Sequence, residues 1–351
     1  MTLRRVAYVV NVFPKLSETF IAAELAELCR RELEVRVLSL RQPAEKLRHD
    51  FVTSAGLIER TVHEPREFSA ILREFRPEVL HAHFATEPTS MARQLAAELG
   101  IRFTFTAHGY DVYRRPPQDF AARAAAAGAV VTVSEANALH ITKCFGVPPD
   151  HIRVIPCGVD TEQFCPQGAK PKLPHVVCVA RLNPVKNLPL LLEACSILKT
   201  RNISFRCVVV GDGPCRNELE KKRAQLGLDN EVELVGAAKQ SDVLQWWRRA
   251  TVGVLTSDSE GMPVCLMEAA ACGVPVVATA AGGVPELVRD NVTGLLTQPR
   301  DCLALANALE CLLREPETAA RMGRAARRRA EERFSVKRQV DQLSDVWAGV
   351  M

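Results

Sequence analysis

The chain has 351 residues, with 45 basic and 41 acidic side chains and a formal net charge of +4. This length favours two domains, and a hydrophobic content of 47% supplies enough apolar surface for two cores. The nearly even charge and the lack of a known nucleic-acid-binding motif argue against a nucleic-acid partner. Aromatic residues at 5% argue against a channel lined with stacking rings.

The sequence also argues against disulfide, zinc and membrane-spanning architectures. Its twelve cysteines form no Cys-x-x-Cys pair and no Cys/His spacing suited to zinc, and several, such as Cys178 and Cys207, lie in apolar runs. We therefore expect reduced thiols and a cytoplasmic protein. No apolar run reaches transmembrane length, and residues 6–13 are better explained as a buried first strand than as a signal peptide.

Short apolar runs alternate with helical patterns, which is typical of a parallel sheet covered by helices. In the first half the pattern predicts strands at residues 6–12, 34–40, 79–82, 102–106, 130–133 and 153–155. Helices are predicted between them, for example at residues 18–31, 88–99 and 135–145. Residues 41–78 hold few predicted elements, so this half is expected to be trimmed.

A stretch rich in Gly, Pro and Lys at residues 158–174 predicts a linker. The alternation then restarts, with strands predicted at residues 175–180, 204–211, 231–235, 252–255, 275–278 and 293–296. Helices are predicted at residues 302–314, 317–333 and 336–350. The prediction is an α/β chain of two similar doubly wound halves, with ligand binding outside the carboxyl ends of the sheets.

The most informative segment holds Glu260 and Glu268, eight positions apart around the start of a predicted helix. Pro263 suits the first helical position, and Gly273 suits the residue beyond the helix end. The free N–H groups of a first helical turn bind anions, whereas a carboxylate beside a phosphate would repel it. The two glutamates therefore suit pairs of neutral hydroxyls, as on a sugar or a ribose. A helix with two exposed acids is the simpler alternative.

Arg181 and Lys186 lie in the loop after the strand predicted at residues 175–180. Such side chains can neutralise the charge that grows on a pyrophosphate leaving group. Because the loop with Glu260 follows another strand of the same sheet, both loops can face one anion. A solvated loop with two basic residues is the alternative.

Three glycine-containing loops of the second half are weaker candidates. Gly211 ends a strand in a sequence that resembles a phosphate loop, but the full Gly-x-Gly-x-x-Gly pattern is missing and a tight turn explains most of it. Residues 231–236, ending at Gly236, could present backbone groups to a nucleobase. The turn at Gly282 and Gly283 is predicted to close the sugar pocket.

In the first half, His108 follows a strand, and Gly109 permits a turn that would aim its ring at the ligand. A structural histidine is the equal alternative. His81 and His83 alternate along a strand end, so one is expected to be buried and one exposed to the ligand. Metal ligation is not expected, because no carboxylate or third histidine is expected nearby to complete a set. Ser17 is predicted to cap the first helix.

The basic run at residues 321–338 is interrupted by Glu331 and Glu332, and helical i,i+4 ion pairs are available to it. A solvated helix face is therefore favoured. Contact with anionic lipid, at the inner face of a membrane, is the alternative.

Together these residues resemble glycosyltransferase family 4, whose members have the GT-B fold of two Rossmann-like doubly wound domains facing a central cleft. The resemblance covers nearly the whole chain. It is carried by the Glu260 and Glu268 pair, the loop of Arg181 and Lys186, and three segments at residues 13–21, 106–111 and 156–164. The first of these segments is similar to the exopolysaccharide, colanic-acid-type branch.

The resemblance implies an acceptor-side domain at residues 1–165, with the helix at 336–351 packing back on it, and a nucleotide-sugar domain at residues 166–335. It implies retaining transfer from a nucleotide diphosphate sugar, UDP favoured over GDP, to a hydroxyl of a glycan, lipid-linked or small-molecule acceptor. No metal or other cofactor is implied. The two domains are expected to close over the donor and exclude water.

The resemblance also implies roles for individual residues. Glu260 would hold the donor sugar, Glu268 the ribose, and Arg181 and Lys186 the pyrophosphate, while His108 would contact the sugar near the reacting centre. The catalytic set is thus His108, Glu260, Arg181 and Lys186. The other predicted donor contacts are Gly211, Gly236, Gly261, Met262, Pro263 and Val264. Lys15 and Asp111 are predicted on the acceptor side.

Two further functions stay open at this point. One is a sugar-nucleotide epimerase of similar fold, and the other is a non-catalytic subunit that binds a sugar nucleotide. A nicotinamide oxidoreductase is disfavoured, because the dinucleotide fingerprint is missing. The sequence departs from some family relatives at residues 14–16, where Pro-Lys-Leu replaces a Gly-Gly loop, so the acceptor stays undefined.

Overall fold

The computed structural model describes residues 3–45 and 47–351. The chain forms two compact units, one of Met1–Gly158 with Val336–Met351 and one of Val159–Ser335. The division after Gly158 lies earlier than the predicted boundary at residue 165. Each unit contains one parallel sheet with helices, so the α/β class is the predicted one.

The first unit holds a seven-stranded parallel sheet in the order β3-β2-β1-β4-β5-β6-β7. Its valine-rich central strands are buried on both faces, as a helix-covered parallel sheet requires. The strand order reverses between β1 and β4, so a crevice opens at their carboxyl ends. The strands are β1 (Arg5–Val12), β2 (Glu34–Arg41), β3 (Thr61–Val62), β4 (Val79–His83), β5 (Arg102–Ala107), β6 (Ala129–Thr132) and β7 (Ile152–Val154).

Six helices connect these strands: α1 (Thr19–Arg30), α2 (Asp50–Ser54), α3 (Phe68–Phe75), α4 (Glu87–Leu99), α5 (Phe120–Ala126) and α6 (Glu135–Phe145). The segment at residues 41–78, expected to hold few elements, contains the short elements α2, β3 and α3; Lys46 lies outside the described residues. The expectation that Ser17 caps α1 is wrong, because this helix begins at Thr19 after Glu18 without a side-chain capping bond.

The second unit holds a six-stranded parallel sheet in the order β10-β9-β8-β11-β12-β13. Its order reverses between β8 and β11, which places the crevice of this unit beside the loops that follow these two strands. The strands are β8 (His175–Val179), β9 (Arg206–Val210), β10 (Val232–Gly236), β11 (Val252–Leu255), β12 (Val276–Thr279) and β13 (Gly294–Thr297).

The helices of the second unit are α7 (Leu188–Thr200), α8 (Arg216–Gln225), α9 (Gln240–Arg249), α10 (Val264–Ala271), α11 (Val284–Leu287), α12 (Cys302–Arg314) and α13 (Pro316–Arg333). Helix α10 begins one residue later than predicted, because Pro263 is extended at φ −79° and ψ 107° and precedes the helix. Gly273 follows the helix end with φ +67°, a left-handed conformation that favours glycine.

The last helix, α14 (Val336–Val350), belongs to the first unit. Its apolar face, including the fully buried Trp347, packs in one cluster with Tyr8 and Leu25. The Trp347 indole also donates a hydrogen bond to Thr104 Oγ1 at 3.2 Å. A Cβ on Gly158 would lie 2.4 Å from Val336 Cα, so only glycine permits this approach.

The start of the predicted linker is packed rather than free. Val159 N–H donates to Phe334 O at 2.8 Å, and Phe164 is fully buried in the second unit. Arg327 donates to the carbonyl oxygens of Thr161 and Phe164 at 2.9 and 2.6 Å. Across the described part of the chain, every helix is too short or too polar to span a bilayer.

Candidate active site

The loops after β8 and β11 are joined by backbone contacts at the carboxyl edge of the second sheet. Thr256 Oγ1 donates to Lys186 O at 2.8 Å, and Asp258 N–H donates to Val185 O at 2.9 Å. Because β8 and β11 are neighbours, both loops begin side by side. The structure therefore brings Lys186 and Glu260 together, as their positions after strands of one sheet predicted.

Lys186 and Glu260 form an ion pair between Nζ and Oε1, and Ser257 Oγ donates to the same carboxylate oxygen at 2.5 Å. Their side chains are 17% and 10% exposed. Burial acts to lower the pKa of Lys186, but the neighbouring Glu260 outweighs it and the pKa ends above its usual value. Lys186 is therefore a permanent cation at neutral pH, held by one carboxylate that an incoming phosphate can replace.

Arg181 lies at the other end of the loop after β8 and is exposed. Among residues 3–45 and 47–351, no carboxylate forms an ion pair with it. The structure thus places a second cation in this loop, and it is open to an anionic ligand.

Glu268, unlike Glu260, is almost completely buried, at 5% exposed. Its Oε2 accepts a hydrogen bond from the Trp247 indole at 3.3 Å, and Gln240 also hydrogen-bonds to the carboxyl group. Burial raises the pKa of Glu268 to about 7. The two glutamates of the segment are therefore chemically different. Glu260 is an ion-paired carboxylate, whereas Glu268 is a carboxyl group that titrates near neutral pH.

The first turn of α10 leaves backbone donors open beside these residues. Leu266 N–H donates to Pro263 O at 3.1 Å, while in the described chain the N–H groups of Val264 and Cys265 have no backbone acceptor. Gly282 packs against the loop that precedes this turn. A Cβ there would lie 1.9 Å from Glu260 O, and its φ is +54°, so this close approach requires glycine. Free N–H groups at such a turn suit an anion.

The glycines after β9 have a packing reason. A Cβ on Gly211, whose φ is +137°, would lie 2.0 Å from Ala180 O, and one on Gly213 would lie 2.4 Å from Leu182 O. Gly211 N–H also donates to Gly236 O at 2.8 Å. These residues therefore seat the loop after β9 against the loop after β8, which explains the glycines without a phosphate.

In the first unit, His108 follows β5 and begins a turn that is fixed by Asp111. Asp111 accepts hydrogen bonds from His108 N–H at 2.9 Å and from Ala85 N–H at 2.6 Å, next to one π-helical turn at Tyr110–Arg114. Asp111 is fully buried, and burial raises its pKa to about 7 although these N–H groups act to lower it. Its side chain holds the His108 loop in place rather than reaching outward.

His81 and His83 are both buried, at 0% and 1% exposed, so the expectation that one of them is exposed to the ligand is wrong. The expectation that no carboxylate lies near them is wrong as well. Glu24 of α1 lies beside them, and one ligand atom from each of the three residues falls within 4.8 Å of the others. Both ring nitrogens of His81 already face hydroxyls, Thr104 Oγ1 at 2.8 Å and Thr106 Oγ1 at 3.0 Å.

Lys15 lies in the loop between β1 and α1, and its side chain is 30% exposed. Its Nζ pairs with Glu18 Oε1 at 2.5 Å, and the next residue, Leu16, donates its N–H to Glu45 Oε2 at 2.8 Å. The loop is thus held by two carboxylates, and Lys15 stays partly accessible.

The basic run of α13 divides into structural and exposed residues. Arg327 binds three carbonyl oxygens and pairs with Glu331 at 2.6 Å, and Arg329 donates to Glu286 O and Leu287 O. The i,i+4 pairing expected for this helix is therefore present. Arg321, Arg324 and Arg328 are exposed along the same helix.

Sequence reasoning missed Glu24, Gln339 and Trp247, which hold other site residues from buried positions. Glu24 had one readable signal: it falls on the apolar face of α1, between Ile21, Leu25 and Leu28, where a charged side chain needs a partner. Gln339 and Trp247 lie in helices far along the chain from their partners, and no local pattern links them.

Comparisons with known proteins agree with the division of the chain into two units. The Glycosyltransferase Family 4 model matches residues 17–163, and the model for glycosyl transferases group 1 matches residues 159–329. WcaL of Escherichia coli, named as a colanic acid biosynthesis glycosyltransferase, is 27% identical over 94% of this chain and 96% of its own. The GDP-mannose-dependent alpha-(1-6)-phosphatidylinositol monomannoside mannosyltransferase of Mycolicibacterium smegmatis is 31% identical over 76% of this chain and 75% of its own.

Among solved structures, Anabaena HepE in complex with UDP superposes with a TM-score of 0.81 at 19% identity, covering 98% of this chain and 99% of that one. At that identity the likeness shows the two-domain GT-B fold. The two family models, the mycobacterial relative and the exopolysaccharide relative lead to one conclusion: this chain belongs to glycosyltransferase family 4 and is a transferase enzyme of that family.

Proposed function

We propose that this glycosyltransferase transfers a sugar from a nucleotide diphosphate sugar to a hydroxyl group, with retention of the anomeric configuration and without a metal ion. The observation that carries the proposal is the contact of Lys186 with Glu260 in front of the open first turn of α10. Arg181, Lys186 and the N–H groups of Val264 and Cys265 offer positive charge to a pyrophosphate. Glu260 is then released for the hydroxyls of the sugar.

Glu268 suits the ribose in this proposal. A buried carboxyl with a pKa near 7 hydrogen-bonds to a hydroxyl in either protonation state, so it holds a neutral diol without a fixed charge nearby. Gly211 and Gly236 bring the backbone of two loops to the same edge of the sheet, where a nucleobase can be held by main-chain groups.

UDP is the nucleotide we favour over GDP. The HepE structure was solved with UDP, whereas the mycobacterial relative is named as GDP-mannose-dependent, so both bases occur among similar proteins. We propose that the first unit, with Lys15, selects the acceptor, which is a glycan, a lipid-linked sugar or a small molecule, and that His108 contacts the transferred sugar near the reacting centre. The relationship to exopolysaccharide enzymes favours a glycan or lipid-linked acceptor.

A donor screen tests this function. The full chain is incubated with UDP- and GDP-sugars, with and without a panel of acceptors, in EDTA, and released nucleoside diphosphate and the product anomer are measured. We expect acceptor-dependent release that EDTA does not abolish, and a product that keeps the donor anomer. Release without any acceptor would favour an epimerase or hydrolase, and binding without turnover would favour a non-catalytic subunit. An inverted product would contradict retention.

A further inference from the structure

A row of buried polar side chains lies behind His108 in the first unit. His108 Nε2 is 3.1 Å from His83 Nδ1, and His83 Nε2 is 3.2 Å from Glu24 Oε1. Glu24 and His83 are fully buried, while His108 is 7% exposed. Hydrogen bonds to one nitrogen of an imidazole decide which nitrogen carries the proton, so this row can set the state of His108.

The direction of these hydrogen bonds is fixed at the end remote from His108. The N–H group of Gly158 can only donate, and it lies 2.7 Å from Gln339 Oε1. This turns the amide so that Gln339 Nε2 donates to Glu24 Oε2 at 2.5 Å, while the Tyr8 hydroxyl donates to Glu24 Oε1 at 2.5 Å. Burial, and then Glu24, raises the pKa of Tyr8 well above its usual value, so the phenol keeps its proton. Glu24 therefore acts as an acceptor.

The same direction continues through both imidazoles. His83 donates from Nε2 to Glu24, and its Nδ1, 3.1 Å from His108 Nε2, is then assigned as an acceptor. His108 donates its Nε2–H to that nitrogen, which leaves its own Nδ1 as an acceptor. Burial, followed by the neighbouring His83, lowers the pKa of His108 well below its usual value, so this ring is neutral at neutral pH. Within the described ranges, no protein group hydrogen-bonds to His108 Nδ1.

We propose that Glu24 and His83 are positioning residues that hold His108 in the Nε2–H tautomer, so that its Nδ1 accepts a hydrogen bond from a hydroxyl of the bound sugar. This inference rests on the proposed function, in which His108 contacts the sugar. An acceptor at this point favours a group that can donate and rejects one that cannot, because a buried polar atom without a partner is costly.

The tautomer is measured first in the wild-type full-length chain without ligand. Proton–nitrogen correlation spectra of protein labelled at histidine report which ring nitrogen is protonated, and His108→Ala identifies the signal. We expect a protonated Nε2 and an unprotonated Nδ1 at neutral pH. A protonated Nδ1 would overturn the proposal, because His83 Nδ1 would then donate to His108 Nε2. This readout needs no variant of the buried row to fold.

A matched pair of variants then tests Glu24. In Glu24→Gln the side chain keeps its size, but its amide can donate to His83 Nε2 and reverse the row, so that His108 becomes protonated on Nδ1. We expect this switch in the spectrum and a fall in kcat of about tenfold, with the donor KM unchanged. Glu27→Gln is the control, since Glu27 lies on the same helix, is 3% exposed and pairs with Arg30 and Arg31 instead.

We expect Glu27→Gln to leave the His108 tautomer and kcat unchanged. If both variants slow transfer equally and neither changes the tautomer, the role of Glu24 is structural and the proposal is wrong.

Donors in which one hydroxyl is replaced by fluorine test the substrate contact, because fluorine cannot donate a hydrogen bond. The hydroxyl that His108 contacts is the one at which the wild type discriminates hydroxyl from fluorine and His108→Ala does not. We expect Glu24→Gln to lose the discrimination at that position as well. Unchanged discrimination in Glu24→Gln would contradict the proposal. If no donor is turned over at all, the proposed function fails, whereas the tautomer measurement on the free protein still decides the inference.

Discussion

The two units hold their polar residues in different ways. In the first unit, Glu24 and His83 are fully buried and hydrogen-bond to other buried side chains. In the second unit, Lys186 and Glu260 keep 17% and 10% of their side-chain surface and hold each other. The buried row of Glu24, His83 and His108 can keep one arrangement before substrate binds, whereas an accessible ion pair can exchange partners. The first suits the orientation of a group and the second suits the capture of an anion.

The largest effect is expected from Lys186 and Arg181, the cations of the second unit. Lys186→Ala or Arg181→Ala should lower turnover by roughly a hundredfold or more, the order seen when a charge-stabilising donor is lost. Steady-state kinetics with the true donor measure this. Lys199→Ala is the control, because it removes a similar lysine–glutamate pair, with Glu231, at the far end of α7. Equal kinetics in all three variants would show that these cations do not touch the donor.

The next largest effect is expected from His108, at the end of the buried row. His108→Ala should lower kcat by about tenfold or more and change the donor KM much less, because the ring is proposed to act on the sugar and not on the nucleotide. Comparison of kcat with KM in one kinetic series measures the split. A variant with normal kcat and a raised donor KM would place His108 in nucleotide binding instead.

Two buried acids with the same pKa should respond to a different extent to removal of their charge. The pKa of Glu268 rises from 4.5 to about 7 on folding, chiefly by burial, so its carboxyl stabilises the fold below about pH 4.5 and this contribution is lost as the pH rises through 7. Glu268→Gln should therefore raise the free energy of unfolding at pH 8 by up to about 3 kcal/mol relative to wild type, and much less at pH 5.

Asp111 has a raised pKa of about 7 as well, yet its two oxygens each accept a backbone N–H. Asp111→Asn also removes a buried charge, but it leaves one of these donors facing an amide at a cost of about 1–3 kcal/mol, so we expect a smaller gain at pH 8 than for Glu268→Gln. Denaturant unfolding at pH 5 and pH 8 measures both variants, with the exposed Glu218→Gln as control. A larger gain for Asp111→Asn than for Glu268→Gln at pH 8 would contradict this account of the two acids.

The smallest effect is expected at Lys15. Its side chain is partly exposed and pairs with Glu18 three positions further on, so Lys15→Ala should raise the acceptor KM by a few fold, about the value of one exposed charged contact. Donor KM should stay constant. A change in donor KM without a change in acceptor KM would remove Lys15 from the acceptor side.

Local patterns were enough to predict most of the fold and the accessible cluster. Buried valine runs mark strands such as β1 and β9, and a loop after a parallel strand must open at the carboxyl edge, which brought Lys186 beside Glu260. The two-residue strand β3 was missed because Thr61 and Val62 form no periodic pattern. The row behind His108 was missed because it joins helix α1, strand β4 and helix α14, and only tertiary packing brings Glu24, His83 and Gln339 together.

The central claim is that Arg181, Lys186 and the first turn of α10 in the second unit bind a nucleoside diphosphate. Calorimetric titration of UDP into the full chain, Lys186→Ala and Lys199→Ala tests it most directly. We predict that the wild type and Lys199→Ala bind equally and that Lys186→Ala binds at least about tenfold more weakly, because it loses a charge-assisted contact to phosphate. Equal binding by all three proteins would contradict the claim, and so would the absence of binding to both UDP and GDP.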